Sequence, residues 1–341
     1  MNRARSRAGG YAIAMLVACS TSVVWAEEEV TFDPQRNAQT QQLADEVAQQ
    51  GVPIEWLERA LAKANYRQEV LDAMAGAAER RLSWFEYREI FLTEQRIEEG
   101  AAFMQEHGDT LARAQSVYGV PPEVMTAIIG VETYYGRRKG RHKVLDSLAT
   151  LAFHHPARGA FFRGELAAFL TIAYQQEVAA DTLYGSYAGA MGYPQFIPTS
   201  YQAYAVDFDN DGKRDLWNNP VDAIGSVANY FAEHGWQRGG AIYHEAEGPE
   251  TLPDGLTFNQ TKQPTTTAAE AAEQGVVTEG SLAPDTPVVP LVLEYEDGRQ
   301  GYRLGEYNFY VITRYNHSHL YAMAVAELAE AIKQQAGATH D

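Results

Sequence analysis

The run Pro121-Pro122-Glu123-Val124-Met125-Thr126-Ala127-Ile128-Ile129-Gly130-Val131-Glu132 constrains this chain more than any other stretch. Met125, Ile128, Ile129 and Glu132 fall at i, i+3, i+4 and i+7, one stripe of a helix with about 3.6 residues per turn. Such a helix needs a core to lie in, and it carries a carboxylate where that core expects a hydrophobe. Burial disfavours the charged form of the acid, and so does the partial negative charge of a helix C-terminus. Both effects raise its pKa. A carboxylic acid kept neutral near neutral pH is suited to general acid work. A half-exposed Glu at a fraying helix end is the competing reading, because buried Glu is rare.

With 341 residues and 45% hydrophobic content, the chain can bury a large core. Its net charge of −18 argues against nucleic acid, which is held by clustered Lys and Arg. The N-terminus has the form of an export signal. Arg3, Arg5 and Arg7 precede the apolar stretch Tyr11 to Ala18, and Val24-Trp25-Ala26 offers a cleavage site near residue 26. Leu16-Val17-Ala18-Cys19 supports a second reading, a bacterial lipobox with lipid on Cys19. Either way the expected place is the periplasm, with outer-membrane anchorage through Cys19 in the second case. Any membrane contact is then made by that N-terminal lipid alone. Cys19 is the only cysteine, so no disulfide forms within the chain.

Residues 27–80 read as a polar leader followed by short helices, interrupted at Gly51-Val52-Pro53. Residues 81–247 read as the helical catalytic core, with helical stretches over Tyr87–Tyr118, Phe161–Gln176 and from Pro220. Residues 248–316 combine a loop-rich insert with a small β element. Val288–Tyr295 and Tyr302–Thr313 are the expected strands, with Pro290 pointing to an edge position. Residues 317–341 supply a last helix that packs on the core. The expected class is mainly α (α+β).

A second segment, Gly185 to Tyr201, places small residues, Tyr193, Phe196, Ser186 and Gln195 in one loop. Small residues let backbone approach a ligand, and aromatic faces suit sugar rings. A tight loop packed on the core would carry the same residues. At this point the motifs combine. Ile129-Gly130-Val131-Glu132-Thr133, Leu145-Asp146-Ser147-Leu148-Ala149-Thr150-Leu151, Gly189-Ala190-Met191-Gly192-Tyr193-Pro194-Gln195-Phe196 and Ile312-Thr313-Arg314-Tyr315-Asn316-His317-Ser318 occur in order. Together they resemble the lytic murein transglycosylase B family, over about Tyr87 to Ala326.

The resemblance implies a lysozyme-like helical catalytic domain with an N-terminal helical subdomain. It implies a monomer that cleaves the MurNAc–GlcNAc β-1,4 bond of peptidoglycan and leaves 1,6-anhydro-MurNAc. Glu132 would be the lone catalytic group, acid first and base second. Tyr87, Ser186, Gln195, Tyr230, Asn308, Tyr315 and Asn316 would contact the sugars. Glycan strands are the implied partner, with other cell-wall enzymes beside them. No organic cofactor is expected. Nearby acids such as Asp146 and Glu165 are expected to cap helices or pair with Arg.

Asp207, Asp209 and Asp211 at loop positions 1, 3 and 5, with Gly212 at 6, match the first half of an EF-hand loop. Lys213 stands at position 7, where the backbone carbonyl coordinates. Position 12 is Asn218, and the resemblance suggests Asp222 as the closing carboxylate of the loop 207–222. An extra residue around Asn218-Asn219 departs from the family pattern. A structural Ca²⁺ is the expected occupant, and a solvated acidic turn is the alternative. No histidine spacing matches a zinc site. Two other functions fit parts of the sequence. One is a muramidase that hydrolyses the same bond with water, and the other is a calcium-stabilised wall-binding protein without turnover.

Overall fold

The computed structural model describes residues 30–77, 82–280 and 282–338. The export signal and Cys19 lie outside the described residues. Three short helices come first: α1 (Ala38–Ala48), α2 (Ile54–Leu61) and α3 (Gln68–Ala77). Asn37 starts α1 by accepting from the Gln39 and Thr40 amides at 3.0 and 3.2 Å. Pro53 sits at the N-cap of α2, one position earlier than expected.

The stretch expected to be helical over Tyr87–Tyr118 is three helices, α4 (Trp84–Phe91), α5 (Glu94–Glu106) and α6 (Gly108–Tyr118). Ser83 and Glu86 close a capping box on α4, and Thr93 caps α5, so polar side chains set both starts. Gly119 ends α6 with φ 81°. Next come α7 (Pro122–Thr133), β1 (His142–Lys143), α8 (Val144–His154), α9 (Gly159–Gln175), β2 (Tyr184–Gly185), α10 (Pro198–Tyr204) and α11 (Pro220–Glu233).

Every residue of α7 from Val124 to Gly130 is buried. A helix apolar on all sides belongs in the middle of a fold. Burying Met125, Ile128 and Ile129 contributes about 1.5–3 kcal/mol each. That surroundings-wide packing fixes α7, and with it the direction of Glu132.

The late segment adds β3 (Tyr243–Glu247), β4 (Thr266–Thr267), α12 (Ala268–Glu273), β5 (Val277–Thr278), β6 (Pro287–Glu294), β7 (Gln300–Gly305), α13 (Tyr307–Tyr315) and α14 (His319–Ala338). The sheet is antiparallel with order β4-β6-β7-β3-β5. Along β6, Val289, Leu291 and Leu293 face the main core. Val288 and Val292 face a second cluster that includes Ala271, Tyr302 and Leu304. Both faces are covered, which explains the unbroken apolar run. Pro290 lies beyond the two residues of β6 that β4 pairs, so no ladder bond is lost there.

One expectation is corrected. Tyr302–Thr313 is not a single strand: β7 stops at Gly305, and Phe309, Tyr310, Val311 and Ile312 are helical in α13. A Cβ at Gly305 would sit 2.9 Å from the Phe309 ring, so the chain turns tightly there. Phe309, Val311, Ile312 and Thr313 are buried in α13. Burial outweighs their β preference. The last helix, α14, packs against α7, α5 and α13.

Candidate active site

Glu132 occupies the last turn of α7 and keeps partial exposure. The chain then turns away through three left-handed residues, Tyr134 (φ 53°), Tyr135 (φ 58°) and Gly136 (φ 84°). A non-glycine residue held there costs about 1–3 kcal/mol and needs strong support. Arg96 supplies it. Its Nη1 donates to the Gly130 carbonyl at 2.5 Å, its guanidinium lies 4.4 Å from the Tyr134 ring centre, and its own carbonyl accepts from the Tyr135 hydroxyl at 2.7 Å. Gly136 is required because a Cβ would fall 1.9 Å from the Tyr193 ring. Thr133 Oγ1 lies 3.1 Å from the carbonyls of Ile129 and Tyr193, tying α7 to the 185–198 loop.

Gly130 is also tightly packed, since a Cβ would lie 2.7 Å from the Tyr135 ring. Gly130→Ala is expected to cost about 1–3 kcal/mol by overpacking, read as a lower urea midpoint at unchanged slope. An unchanged midpoint would mean that Tyr135 moves aside freely.

Burial raises the Glu132 pKa to about 7, and the Tyr321 hydroxyl, donating to Oε1 at 2.6 Å, pulls the other way. Around the acid stand Tyr87 from α4, Tyr315 from α13 and Tyr321 from α14. Burial raises all three phenols, and the Glu132 charge adds to each. Tyr315 stacks on Tyr321 at 6.4 Å and 11° and donates to the Pro194 carbonyl at 2.7 Å. Among the described residues, no second carboxylate contributes to the shift at Glu132. Asp146 pairs with Arg67 at 2.9 Å, and Glu165 caps α10 by accepting from the Thr199 amide and hydroxyl at 3.0 and 2.7 Å. Asp181 pairs with Lys63 at 3.0 Å.

The other sugar-contact candidates divide. Ser186 Oγ accepts from the Ala188 and Ala190 amides at 3.2 and 3.0 Å, which leaves its proton to offer. Gln195, at φ 51°, donates from Nε2 to the Lys139 and Gly192 carbonyls at 3.3 and 2.9 Å, which leaves Oε1 unengaged. Asn316 is exposed just past α13. Tyr230 donates to the Arg314 carbonyl at 2.6 Å inside an aromatic cluster with Phe196, His234 and Tyr315. Asn308 is placed differently from the expectation. It is 1% exposed, accepts from the Gln237 amide and donates to the carbonyls of Gln237 and Gly240. Its hydrogen bonds hold the 237–240 turn, so it has nothing to present to a sugar.

Sequence reasoning missed Tyr321 and Arg96. Tyr321 lies on the apolar stripe of the last helix, where a Tyr reads as core. Arg96 lies in an acidic helical stretch, where a cation reads as surface.

The ligand atoms of Asp207, Asp209 and Asp211 lie within 4.8 Å of one another. Asp207 accepts from the amides of Asp211 and Gly212 at 3.0 and 2.8 Å, which fixes the sharp turn. An all-oxygen set of this kind suits a hard cation. Asp222 does not join the cluster as expected. It is fully buried and accepts from the Phe208 and Asp215 amides at 2.7 and 2.9 Å, bracing the loop from beneath. Asn219, beside the extra residue, donates to Asp209 at 2.8 Å.

A family model for the transglycosylase SLT domain matches residues 35–330. The membrane-bound lytic murein transglycosylase B of Escherichia coli strain K12 is 46% identical over 251 residues, which is 73% of this chain and 67% of that protein. Among solved structures, catenated lytic transglycosylase SltB1 from Pseudomonas aeruginosa aligns with a TM-score of 0.83 at 43% identity, covering 89% of this chain and 100% of the other. The Escherichia coli lytic transglycosylase Slt35 in complex with calcium aligns at 0.80 and 40% identity, covering 90% of this chain and 96% of the other.

Proposed function

The chain belongs to the SLT-domain transglycosylases and is a lytic murein transglycosylase of lysozyme-like, mainly helical fold; on that premise we propose that Glu132 is its single acid and base. The observation that carries this is one carboxyl with a pKa near 7, walled by tyrosines, with no second carboxylate acting on it among the described residues. Most glycosidases flank the bond with two carboxyl groups.

Neutral Glu132 gives its proton to the oxygen between MurNAc and GlcNAc as the bond to the MurNAc anomeric carbon breaks. The carboxylate so formed takes the proton of the MurNAc C6 hydroxyl. The C6 oxygen closes on the anomeric carbon and leaves the 1,6-anhydro sugar. Glu132 ends neutral, and no water is consumed. Tyr87, Ser186, Gln195, Tyr315 and Asn316 meet the sugars, while Tyr230 and Asn308 hold the walls from behind. Mass spectrometry of digested glycan tests the scheme. Anhydro ends are expected, and reducing ends would favour a hydrolytic muramidase.

Tyr321 positions the acid. Its hydrogen bond occupies Oε1, so the proton sits on Oε2. That bond favours the charged form, and its loss raises the Glu132 pKa. Tyr321→Phe is therefore expected to move the alkaline limb of the kcat/KM profile to higher pH. An unmoved limb would reduce Tyr321 to packing.

Asp207, Asp209 and Asp211, with the Lys213 carbonyl, form a structural Ca²⁺ site braced by Asp222. Bound Ca²⁺ supplies charge neutralisation to the loop and takes no part in the chemistry. EDTA is expected to lower Tm by several degrees through lost ligand stabilisation, and an identical melting curve would count against the site. The leader fits a periplasmic place of action, either free after cleavage near residue 26 or with lipid on Cys19, and the mass of the mature N-terminus decides between the two.

A further inference from the structure

The segment leaving α7 reads Arg137-Arg138-Lys139-Gly140-Arg141-His142-Lys143, so five of the chain's 27 Lys and Arg residues fall together in a protein of net charge −18. This segment packs its backbone against Tyr184, Gly185 and Ser186. His142 and Lys143 in β1 pair with Gly185 and Tyr184 in β2. A Cβ at Gly140 would lie 2.0 Å from the Gly185 carbonyl oxygen and 2.7 Å from the Ser186 nitrogen, so backbone lies directly on backbone. Gln195 closes the far side through its bond to the Lys139 carbonyl.

The cations are not equivalent. Arg137 pairs with Glu99 at 2.5 Å. Lys139 donates to the Trp217 carbonyl and lies over the Tyr193 ring, and burial pulls its pKa down. Lys143 acts on Asp181. Arg138 and Arg141 are exposed, and neither has a carboxylate partner among the described residues. Arg138 lies over the Tyr134 ring at 5.1 Å, and both exposed guanidinium groups belong to the segment whose backbone packs on Gly185 and Ser186.

Peptidoglycan sugars carry short peptide stems, and those stems bear carboxylates. A strongly anionic protein repels such a substrate at long range. Within a Debye length of about 8–10 Å, local cations outweigh that field, and Arg grips carboxylates with two parallel bonds. We infer that Arg138 and Arg141 form a subsite for the carboxylates of the peptide stem on the glycan next to the cleaved bond. This rests on the peptidoglycan reading above and makes peptide charge a determinant of substrate choice.

The test is Arg138→Gln combined with Arg141→Gln in the full chain. It is assayed on peptide-bearing glycan strands and on the same strands stripped of peptide. On peptide-bearing strands, kcat/KM is expected to fall about tenfold and to lose most of its salt dependence. On stripped strands the variant and parent should match within about twofold, because no partner for the guanidinium groups remains. Equal losses on both substrates, or no loss on the first, would overturn the subsite. So would parent binding to phosphatidylglycerol vesicles that the variant lacks, with cleavage of both substrates unchanged, since the patch would then serve a membrane. A parent that forms no anhydro ends on either substrate would instead overturn the transglycosylase reading.

Discussion

Glu132→Gln is expected to lower peptidoglycan turnover by roughly 10³- to 10⁴-fold, the upper part of the range for loss of a general acid–base group. The upper part applies because one side chain serves both proton transfers. The amide keeps the shape of the side chain, and its carbonyl still accepts from Tyr321. It lacks the proton that the leaving oxygen needs. Release of anhydro-ended fragments from purified sacculi measures the effect, with an unfolding curve to show that the variant is folded. Parental clearance by a folded variant would remove Glu132 from the chemistry.

The same substitution is expected to stabilise the protein at alkaline pH. Burial raises the Glu132 pKa from 4.5 to about 7 in the folded chain. Between these values the folded form binds the proton more tightly than the unfolded form. Stability from this group is therefore whole below 4.5, falls as pH rises through the window, and is fully lost above about 7. The loss amounts to about 3–4 kcal/mol at about 1.4 kcal/mol per unit. Gln cannot ionise and escapes it. Denaturant unfolding at pH 4 and pH 8 should show the variant near the parent in acid and more stable by about that amount in alkali. A difference independent of pH would mean that the acid is well solvated.

The parts of this site that were legible in the sequence are local. The Pro-initiated, all-apolar α7 with its terminal carboxylate, the Asp207–Gly212 turn and the Pro220 helix start each depend on residues close together in the chain. The parts that were not legible depend on distant partners. Phe309 to Ile312 carry a β-type pattern and become helical because the fold buries them. Tyr321 meets Glu132 across 189 positions, and Arg96 meets Gly130 across 34. Asn308 lies four residues before the matched Ile312–Ser318 motif, yet its bonds run to Gln237 and Gly240. No pattern within a window of the sequence reports such pairings. The acids Asp146 and Glu165 were readable as structural, because a cap or an Arg pair is the common fate of a carboxylate in a helix.

The docking of α14 on α7 has a consequence for synthesis. The polypeptide emerges from its N-terminal end, so the helix bearing Tyr321 is made last. Until it docks, Glu132 lacks the Tyr321 phenol and the wall that α14 supplies, with only Tyr87 and Tyr315 beside it. A ribosome-bound or truncated product ending before His319 therefore carries Glu132 without its hydrogen-bond partner. The acid of an enzyme that cuts the cell's own envelope thus acquires its final setting only when the last helix has been made.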